Sequence, residues 1–307
     1  MSIYKIFDKN IRSDIKLKNI PYSDGNGTDY ILKTLKKSHI DKDFEVYHQI
    51  KFNGRPWASF LRNGKKLALS FHKFADFSID RNEEIIYSYI KPGTTPNTFT
   101  HLFADHVIPN ILTLSENIIF HSSTVKIADF AVSFLAPSGS GKSTLAAFFG
   151  LKNQRLIADD SILVKNIQNS YMAVPSYPGI RLWPSSVEIL FDNHPELNDV
   201  SQYNDKKVIK CNNGLIKAEN KPTRLKAIYI LDAAESTFIE ELSPSESFAF
   251  LIKNLYRFDF EDRKKNEYEF RFLIEMINNL EVYKLNYSHD AGSLEKAYDL
   301  VIENCLN

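Results

Sequence analysis

Residues 131–149 of the chain read AVSFLAPSGSGKSTLAAFF, in which a loop of small residues separates two apolar runs. The first run, Ala131 to Leu135, predicts a strand, and the second, Thr144 to Phe149, predicts a helix. The loop from Ala136 to Ser143 therefore lies at a strand-to-helix turn. A short buried strand is expected at Arg155 to Ala158, beside the first strand, so that the segment forms a βαβ unit.

The loop has the composition of a phosphate-binding loop. Small residues let consecutive backbone N–H groups converge on the β- and γ-phosphates of a nucleotide, a lysine neutralises these phosphates, and a hydroxyl group ligates magnesium. The partial positive charge at the N-terminus of the following helix adds to this attraction. The expected nucleotide contacts are Ser138, Gly139, Ser140, Gly141, Lys142, Ser143 and Thr144. The expected cofactors are ATP and Mg²⁺.

One position departs from the full phosphate-loop pattern. The pattern begins with glycine, where this chain has Ala136, and alanine tolerates left-handed backbone angles poorly. A surface turn rich in serine and glycine is therefore the competing interpretation. The place of the loop between an apolar strand and a helix favours phosphate binding.

Two adjacent carboxylates, Asp159 and Asp160, follow the predicted strand at 155–158. Phosphoryl transfer needs an acidic ligand for magnesium and a group that meets the attacking hydroxyl. Adjacent side chains on an extended strand diverge, so one carboxylate can face the metal while the other faces the substrate. The alternative is an Asp-Asp-Ser turn that caps the next element.

These elements together resemble the HPr serine kinase/phosphorylase family, which shares the P-loop arrangement of the phosphoenolpyruvate carboxykinases. The resemblance rests on His121, fifteen positions before Ala136, on the Ser-Gly-x-Gly-Lys-Ser loop, and on Arg-Leu-Ile-Ala-Asp-Asp at 155–160. The phrases at 118–123 and 177–184 are similar to kinase-like members encoded beside peptide natural-product genes, including those that phosphorylate lasso-peptide precursors.

The resemblance implies a role for each matching residue. Asp159 would be the catalytic base, Asp160 and Ser143 would be ligands on the metal side, and His121 would lie near the transferred phosphate. Lys142 would hold the phosphates during transfer. The implied reaction is ATP-dependent phosphorylation of a serine hydroxyl in a peptide or small protein.

Other residues and other functions stay open. Arg181 could meet a phosphate or an acidic substrate, or it could form a structural ion pair. Thr144 stands where the bifunctional family members usually carry glutamate, and their second signature, which contains arginine and glycine, has no counterpart in this chain. A dedicated kinase is therefore favoured over an enzyme that also catalyses the reverse phosphorylase reaction. The alternatives are a small-molecule kinase, a switch or motor ATPase, and a nucleotide-binding regulatory protein without kinase activity. A homo-oligomeric assembly is also left open.

The composition excludes several classes of function. Lysine plus arginine equals aspartate plus glutamate at 38 each, so no overall charge favours nucleic acid as a partner. The two cysteines lack the spacing of a zinc pair or a redox motif, which indicates a reduced, cytoplasmic setting. No apolar run approaches the roughly 20 residues that span a bilayer, so no membrane association is expected.

The predicted fold class is α/β, with two domains. Residues 1–97 are expected to form a smaller β-rich domain, and 98–307 a carboxykinase-like P-loop domain with a mixed sheet and helices. The boundary is placed at 91–97, which holds two prolines and a glycine. Either a substrate-docking patch or a half-buried strand would explain Arg55, Trp57, Phe60 and Arg62.

Two further segments carry expectations. The apolar spacing from Phe99 to Leu114 predicts a helix that Pro109 should kink or divide. His101 and His106 are five positions apart, so a regular helix would not place them on one face. The polar stretch from Asn193 to Lys221 predicts a mobile loop region, which could act as a lid.

Overall fold

The computed structural model describes residues 1–80, 83–192, 195–212, 214–288 and 290–306. The chain forms two units, of which the first comprises Met1–Ile111 and Asp199–Asp205, and the second comprises Leu112–Asn198 and Lys206–Asn307. The secondary structure is mixed α/β. None of the helices in the described ranges has both the length and the apolar character to cross a membrane.

The first unit is built mainly from strands. Its elements are β1 (Ser2–Ile6), β2 (Lys9–Ser13), β3 (Tyr30–Thr34), β4 (Glu45–Phe52), β5 (Arg55–Asn63), β6 (Lys66–Phe71), β7 (Ala75–Asp80), β8 (Ile85–Ile90), α1 (Pro96–His101), a π-helical segment (Leu102–Val107) and α2 (Ile108–Leu112). The described strands pair in the order β1-β2-β3-β8-β7-β6-β5-β4. The described strands β1 to β8 thus form one sheet.

The helical segment that follows Thr95 belongs to the first unit, whereas the sequence placed residues from 98 onward in the second domain. The reason is aromatic packing. The ring of Phe99 lies 5.4 Å from that of Phe77 on β7, and the ring of Phe103 lies 6.0 Å from it. Burial of these rings ties the helix to the sheet, so the change of unit falls after Ile111.

The helix is divided near Pro109, as expected. The division takes the form of a π-helical segment, Leu102–Val107, that precedes the proline. The N–H of Ile108 donates to the carbonyl of Phe103, five residues back. A π turn brings residues five apart onto the same side. The rings of His101 and His106 accordingly lie 5.4 Å apart, because the segment is not the regular helix that the expectation assumed.

The proposed docking residues of β5 sit partly inside the first unit. Phe60 is buried, and the Trp57 ring packs 5.2 Å from that of Phe71. The guanidinium of Arg62 lies 5.6 Å from the centre of the Tyr47 ring. These contacts match a half-buried strand.

The second unit contains the predicted loop. From residue 118 the chain forms β9 (Ile118–Phe120), β10 (Ser122–Ile127), β11 (Phe130–Leu135), α3 (Lys142–Leu151), β12 (Arg155–Ala158), β13 (Ile162–Ile167), β14 (Ser170–Val174), β15 (Ile180–Leu182), α4 (Pro184–Leu190), β16 (Asn198–Asp199), β17 (Lys207–Ile209), β18 (Lys217–Ala218), β19 (Thr223–Ala233), β20 (Phe238–Glu241), α5 (Pro244–Lys253), α6 (Arg263–Asn279), β21 (Glu281–Tyr287) and α7 (Ala291–Leu306). Of these elements, β16 ends at Asp199, which is counted with the first unit.

The main sheet of this unit runs in the order β18-β12-β10-β11-β19-β14-β13-β9, with β21 paired to β19 and β20 to β21. The loop strand β11 is parallel to β19 and antiparallel to β10. The expectation that β12 lies directly beside β11 was wrong, because β10 runs antiparallel between them. Since β11 and β12 point the same way, their carboxyl ends still meet at one edge of the sheet.

The polar stretch 193–221 is more ordered than the sequence suggested, although residues 193, 194 and 213 lie outside the described residues. It contributes β16, β17 and β18, and β17 pairs antiparallel with β15. Ile209 and Ile216 are both fully buried in the core that also holds α3. Part of this stretch is therefore core, not a mobile loop.

Gly150 on α3 makes close contact with this stretch. A methyl group at Gly150 would lie 2.8 Å from Cγ2 of Ile216. We expect Gly150→Ala to lower the free energy of unfolding by about 1–3 kcal/mol, despite the higher helix propensity of alanine, because the core is already filled. Thermal and urea denaturation would measure this. Adding Ile216→Ala should cost less than the sum of the two single changes, and an unchanged stability of Gly150→Ala would contradict the packing.

Candidate nucleotide and phosphoryl-transfer site

The loop turns through two glycines that adopt left-handed backbone angles. Gly139 has a φ of 89° and Gly141 a φ of 80°, values that residues with a Cβ rarely adopt. Gly141 is also the N-cap of α3, so the helix starts at Lys142. The backbone at Ala136 has a negative φ and its methyl group is fully buried in the core. Alanine is thus compatible with the first loop position, which removes the objection raised by the sequence pattern.

Lys142 points back along the loop. Its Nζ donates to the carbonyl oxygens of Ala136, at 2.7 Å, and Pro137, at 3.1 Å. Burial lowers the pKa of Lys142 to about 8, an effect that the nearby carboxylates of Asp160 and Asp159 oppose. The ammonium group is therefore held inside the loop, at the position where it can neutralise a bound phosphate.

The hydroxyl of Ser143 connects the loop to the strand end at β12. Ser143 Oγ donates to Asp159 Oδ1 at 2.8 Å, and Ser123 Oγ from β10 donates to the same oxygen at 2.6 Å. Hydroxyl and carboxylate oxygens are the hard ligands that magnesium prefers. The sequence grouped Ser143 with Asp160, whereas the structure pairs it with Asp159.

Asp159 is fully buried and accepts hydrogen bonds on both oxygens. The backbone N–H of Arg181 donates to Oδ2 at 2.8 Å, and the guanidinium Nη1 lies 3.7 Å from the same oxygen. Burial raises the pKa of Asp159 and the adjacent Asp160 raises it further, while Arg181 and the bond from Ser123 oppose this. Asp159 is therefore a structural centre of the site as well as a candidate functional group.

Asp160 occupies a different environment. It has a φ of 68°, which is unusual for a residue other than glycine and often marks a functional position. Its side chain is 13% exposed, and its Oδ2 lies 3.5 Å from Nε of Arg181. Nζ of Lys206 lies 4.0 Å from Oδ1. Of the two carboxylates, Asp160 is thus the one that reaches the surface.

His121 is fixed to the backbone of Asp160. Its Nδ1 lies 2.9 Å from the carbonyl oxygen of Asp160, so this nitrogen carries the proton and donates. Burial, together with the charge of Lys142, lowers the pKa of His121 to about 4. The imidazole is therefore neutral at pH 7 in the nucleotide-free protein.

Arg181 is buried and bridges the two carboxylates from β15. One guanidinium nitrogen also donates to the hydroxyl of Tyr177. These contacts are those of a structural ion pair, which was one of the two roles considered for Arg181. They also place a positive charge beside both Asp159 and Asp160.

The remaining loop residues lie around this centre. Ser138 and Gly139 are exposed, and the N–H of Ser140 donates to the carbonyl of Pro137. Oγ1 of Thr144 lies 2.8 Å from Oγ of Ser186 on α4, so its hydroxyl already has a partner in the protein. Its backbone N–H, in the first turn of α3, is the group that could bind a phosphate.

Sequence reasoning missed two residues of the site. Ser123 lies in a phrase that carried the family resemblance, but the β-strand around it was not predicted. Lys206 lies in the polar stretch and has no local pattern that marks it. Only the tertiary fold brings its ammonium group to Asp160.

The site fits magnesium bound together with a nucleotide. A group of three or more His, Cys, Asp or Glu residues that could hold a metal alone does not occur within the described ranges. Magnesium in nucleotide sites is usually bound by one or two carboxylates together with substrate phosphates. Ser143 and the Asp159–Asp160 pair meet this requirement.

Comparison with known proteins gave matches among solved structures. No protein-family model matches the chain. No curated protein matches it either. Among solved structures, that of the Hpr(Ser) kinase/phosphatase from Coxiella burnetii is similar, with 13% identity over 61% of this chain and 90% of that chain and a TM-score of 0.32.

Proposed function

We propose that this chain is an ATP-dependent, magnesium-requiring kinase that transfers the γ-phosphate to a hydroxyl group. The observation that carries the proposal is the 2.8 Å contact between Ser143 of the loop and Asp159 of the strand end. It joins a phosphate-binding loop to a pair of carboxylates, which are the two parts that phosphoryl transfer requires. The proposal includes a carboxykinase-type P-loop arrangement in the second unit.

Each residue of the site has a proposed role. Lys142 and the loop N–H groups would hold the phosphates, and Ser143 would ligate magnesium together with a carboxylate. The contacts favour Asp159 for that carboxylate, because it shares a hydrogen bond with Ser143. Asp160 would then accept the proton of the acceptor hydroxyl, since its side chain reaches the surface. These two roles are the reverse of those that the family resemblance implies.

His121 has a positioning role in this scheme. Its hydrogen bond to the carbonyl of Asp160 holds the strained backbone at that residue. A neutral imidazole cannot donate from Nε2 while Nδ1 carries the proton. Contact between Nε2 and a phosphate would therefore require protonation, which the negative charge of a bound nucleotide favours.

The acceptor is proposed from the sequence resemblance alone. It would be a serine in a peptide or small protein, such as a lasso-peptide precursor. The phrases at 118–123 and 177–184 carry the similarity to the members that act on such peptides. A small alcohol metabolite is the alternative acceptor.

Incubation with γ-labelled ATP and magnesium tests the reaction. Serine-containing peptides and a metabolite pool are offered separately, and products are identified by mass spectrometry. We expect a phosphorylated peptide with the wild type. Ser143→Ala should reduce the transfer rate about 100-fold or more by removing a metal ligand, whereas Ser236→Ala, at an exposed position outside the loop, should retain most activity. Release of free phosphate without any phosphorylated acceptor would contradict the kinase proposal.

A further inference from the structure

Lys206 lies beside the carboxylate pair, in a segment that the loop motif does not include. Its Nζ is 4.0 Å from Oδ1 of Asp160, and its side chain is 16% exposed. The same Nζ lies 5.7 Å from the centre of the Trp183 ring, the residue that precedes α4. An aromatic face and a carboxylate thus hold the ammonium group in place.

Three cationic side chains lie near the two carboxylates. Lys142, Arg181 and Lys206 each bring a positive charge to the site, while Asp159 and Asp160 bring two negative charges. A bound magnesium ion adds two further positive charges. Cationic groups that converge beside the loop favour an anionic ligand there.

The contact between Lys206 and Asp160 is a long one. A direct charge-assisted hydrogen bond between an ammonium and a carboxylate measures about 2.8 Å, against 4.0 Å here. A phosphoryl oxygen in direct contact would therefore be a stronger partner than Asp160 is at this distance. Lys142 belongs to the loop itself, whereas Lys206 approaches from the side of Asp160. The two lysines are thus placed to contact one anion from different directions.

We propose that Lys206 binds the terminal phosphoryl group of the nucleotide and is a second phosphate-binding lysine of this site. The inference rests on the proposed function insofar as it takes a nucleoside triphosphate to be the ligand of the loop. It assigns to Lys206 a preference for the γ-phosphate over the β-phosphate. It also gives the polar stretch around β17 a part in ligand binding.

Equilibrium titration with two nucleotides tests the inference without relying on catalysis. The wild type, Lys206→Ala, Lys206→Arg and Lys210→Ala are titrated with magnesium and either ADP or the non-hydrolysable β,γ-imido analogue of ATP. Lys210 is exposed and lies in the same segment, so it is a matched control for net charge. Thermal denaturation of each variant checks that it is folded.

We expect Lys206→Ala to weaken binding of the triphosphate analogue about tenfold or more and to change ADP binding much less. Lys206→Arg should restore most of the difference, and Lys210→Ala should bind both nucleotides like the wild type. Equal losses for both nucleotides, or no loss, in Lys206→Ala would overturn the inference. If the wild type binds nucleotides but transfers no phosphate, the kinase proposal fails while this comparison still decides the role of Lys206. A wild type that binds neither nucleotide would overturn both.

Discussion

Asp159→Asn is expected to abolish phosphoryl transfer and to lower the free energy of unfolding by about 3 kcal/mol or more. The carboxylate of Asp159 is fully buried and accepts bonds from Ser123, Ser143 and the backbone of Arg181. The NH₂ group of an asparagine side chain would face hydrogen-bond donors that now bind the carboxylate. The buried guanidinium of Arg181 would also lose a charge partner. Loss of the carboxylate should also weaken magnesium-dependent nucleotide binding.

Asp160→Asn provides the matched comparison. The Asp160 side chain is 13% exposed whereas that of Asp159 is fully buried, so neutralising Asp160 should cost less stability. If Asp160 accepts the acceptor proton, this variant should bind Mg²⁺ and nucleotide normally and transfer phosphate about 100-fold or more slowly. Urea denaturation, nucleotide titration and single-turnover kinetics measure the three effects. A fully active Asp159→Asn would contradict the account, and normal metal-dependent binding in Asp159→Asn with weak binding in Asp160→Asn would restore the roles implied by the resemblance.

Lys142→Met should weaken nucleotide binding about 100-fold while the protein stays folded. The ammonium group is buried among the loop carbonyls of Ala136 and Pro137, and methionine replaces its apolar stem at similar volume. Removing a buried cation also removes its cost of desolvation. Lys152→Met, at the exposed end of the same helix, is the control and should bind nucleotide like the wild type.

The pH dependence of binding gives the same residue a second test. The pKa of Lys142 is lowered to about 8 by burial, so in the free protein the ammonium loses its proton above that pH. An anion favours the charged form, so binding above pH 8 must take up a proton. The dissociation constant should therefore rise by up to about tenfold per pH unit above 8 and stay flat near neutrality. Isothermal titration at several pH values would show this, and an equally steep profile in Lys142→Met would assign the proton elsewhere.

The sequence predicted the centre of the site because its pattern is local. The apolar run of β11, the two glycines and the start of α3 are adjacent in the chain. Each of them is set by local properties, namely apolar residues in the strand, positive φ angles at the glycines and a glycine N-cap at the helix. The carboxylates at 159 and 160 follow the strand that was predicted at 155–158. Because β11 and β12 run in the same direction, their carboxyl ends bring the loop and the carboxylates together, although β10 lies between the two strands.

Other parts depend on contacts that no local pattern records. β10 was missed because Ser122, Ser123 and Thr124 are polar yet buried, where hydrogen bonds to Ser133 and Asp159 satisfy two of their hydroxyls. Their burial follows from the fold and not from hydrophobicity. The aromatic contacts that assign the segment after Thr95 to the first unit, and the approach of Lys206 to Asp160, are likewise tertiary.

A crystal structure with magnesium and the β,γ-imido analogue of ATP tests the central claim most directly. We predict the β- and γ-phosphates against the loop N–H groups from Gly139 to Thr144, with Lys142 in contact with them. The magnesium ion should lie about 2.1 Å from Ser143 Oγ and next to the Asp159–Asp160 pair. Phosphates bound elsewhere on the protein, or a metal ion away from Ser143 and both carboxylates, would contradict the account.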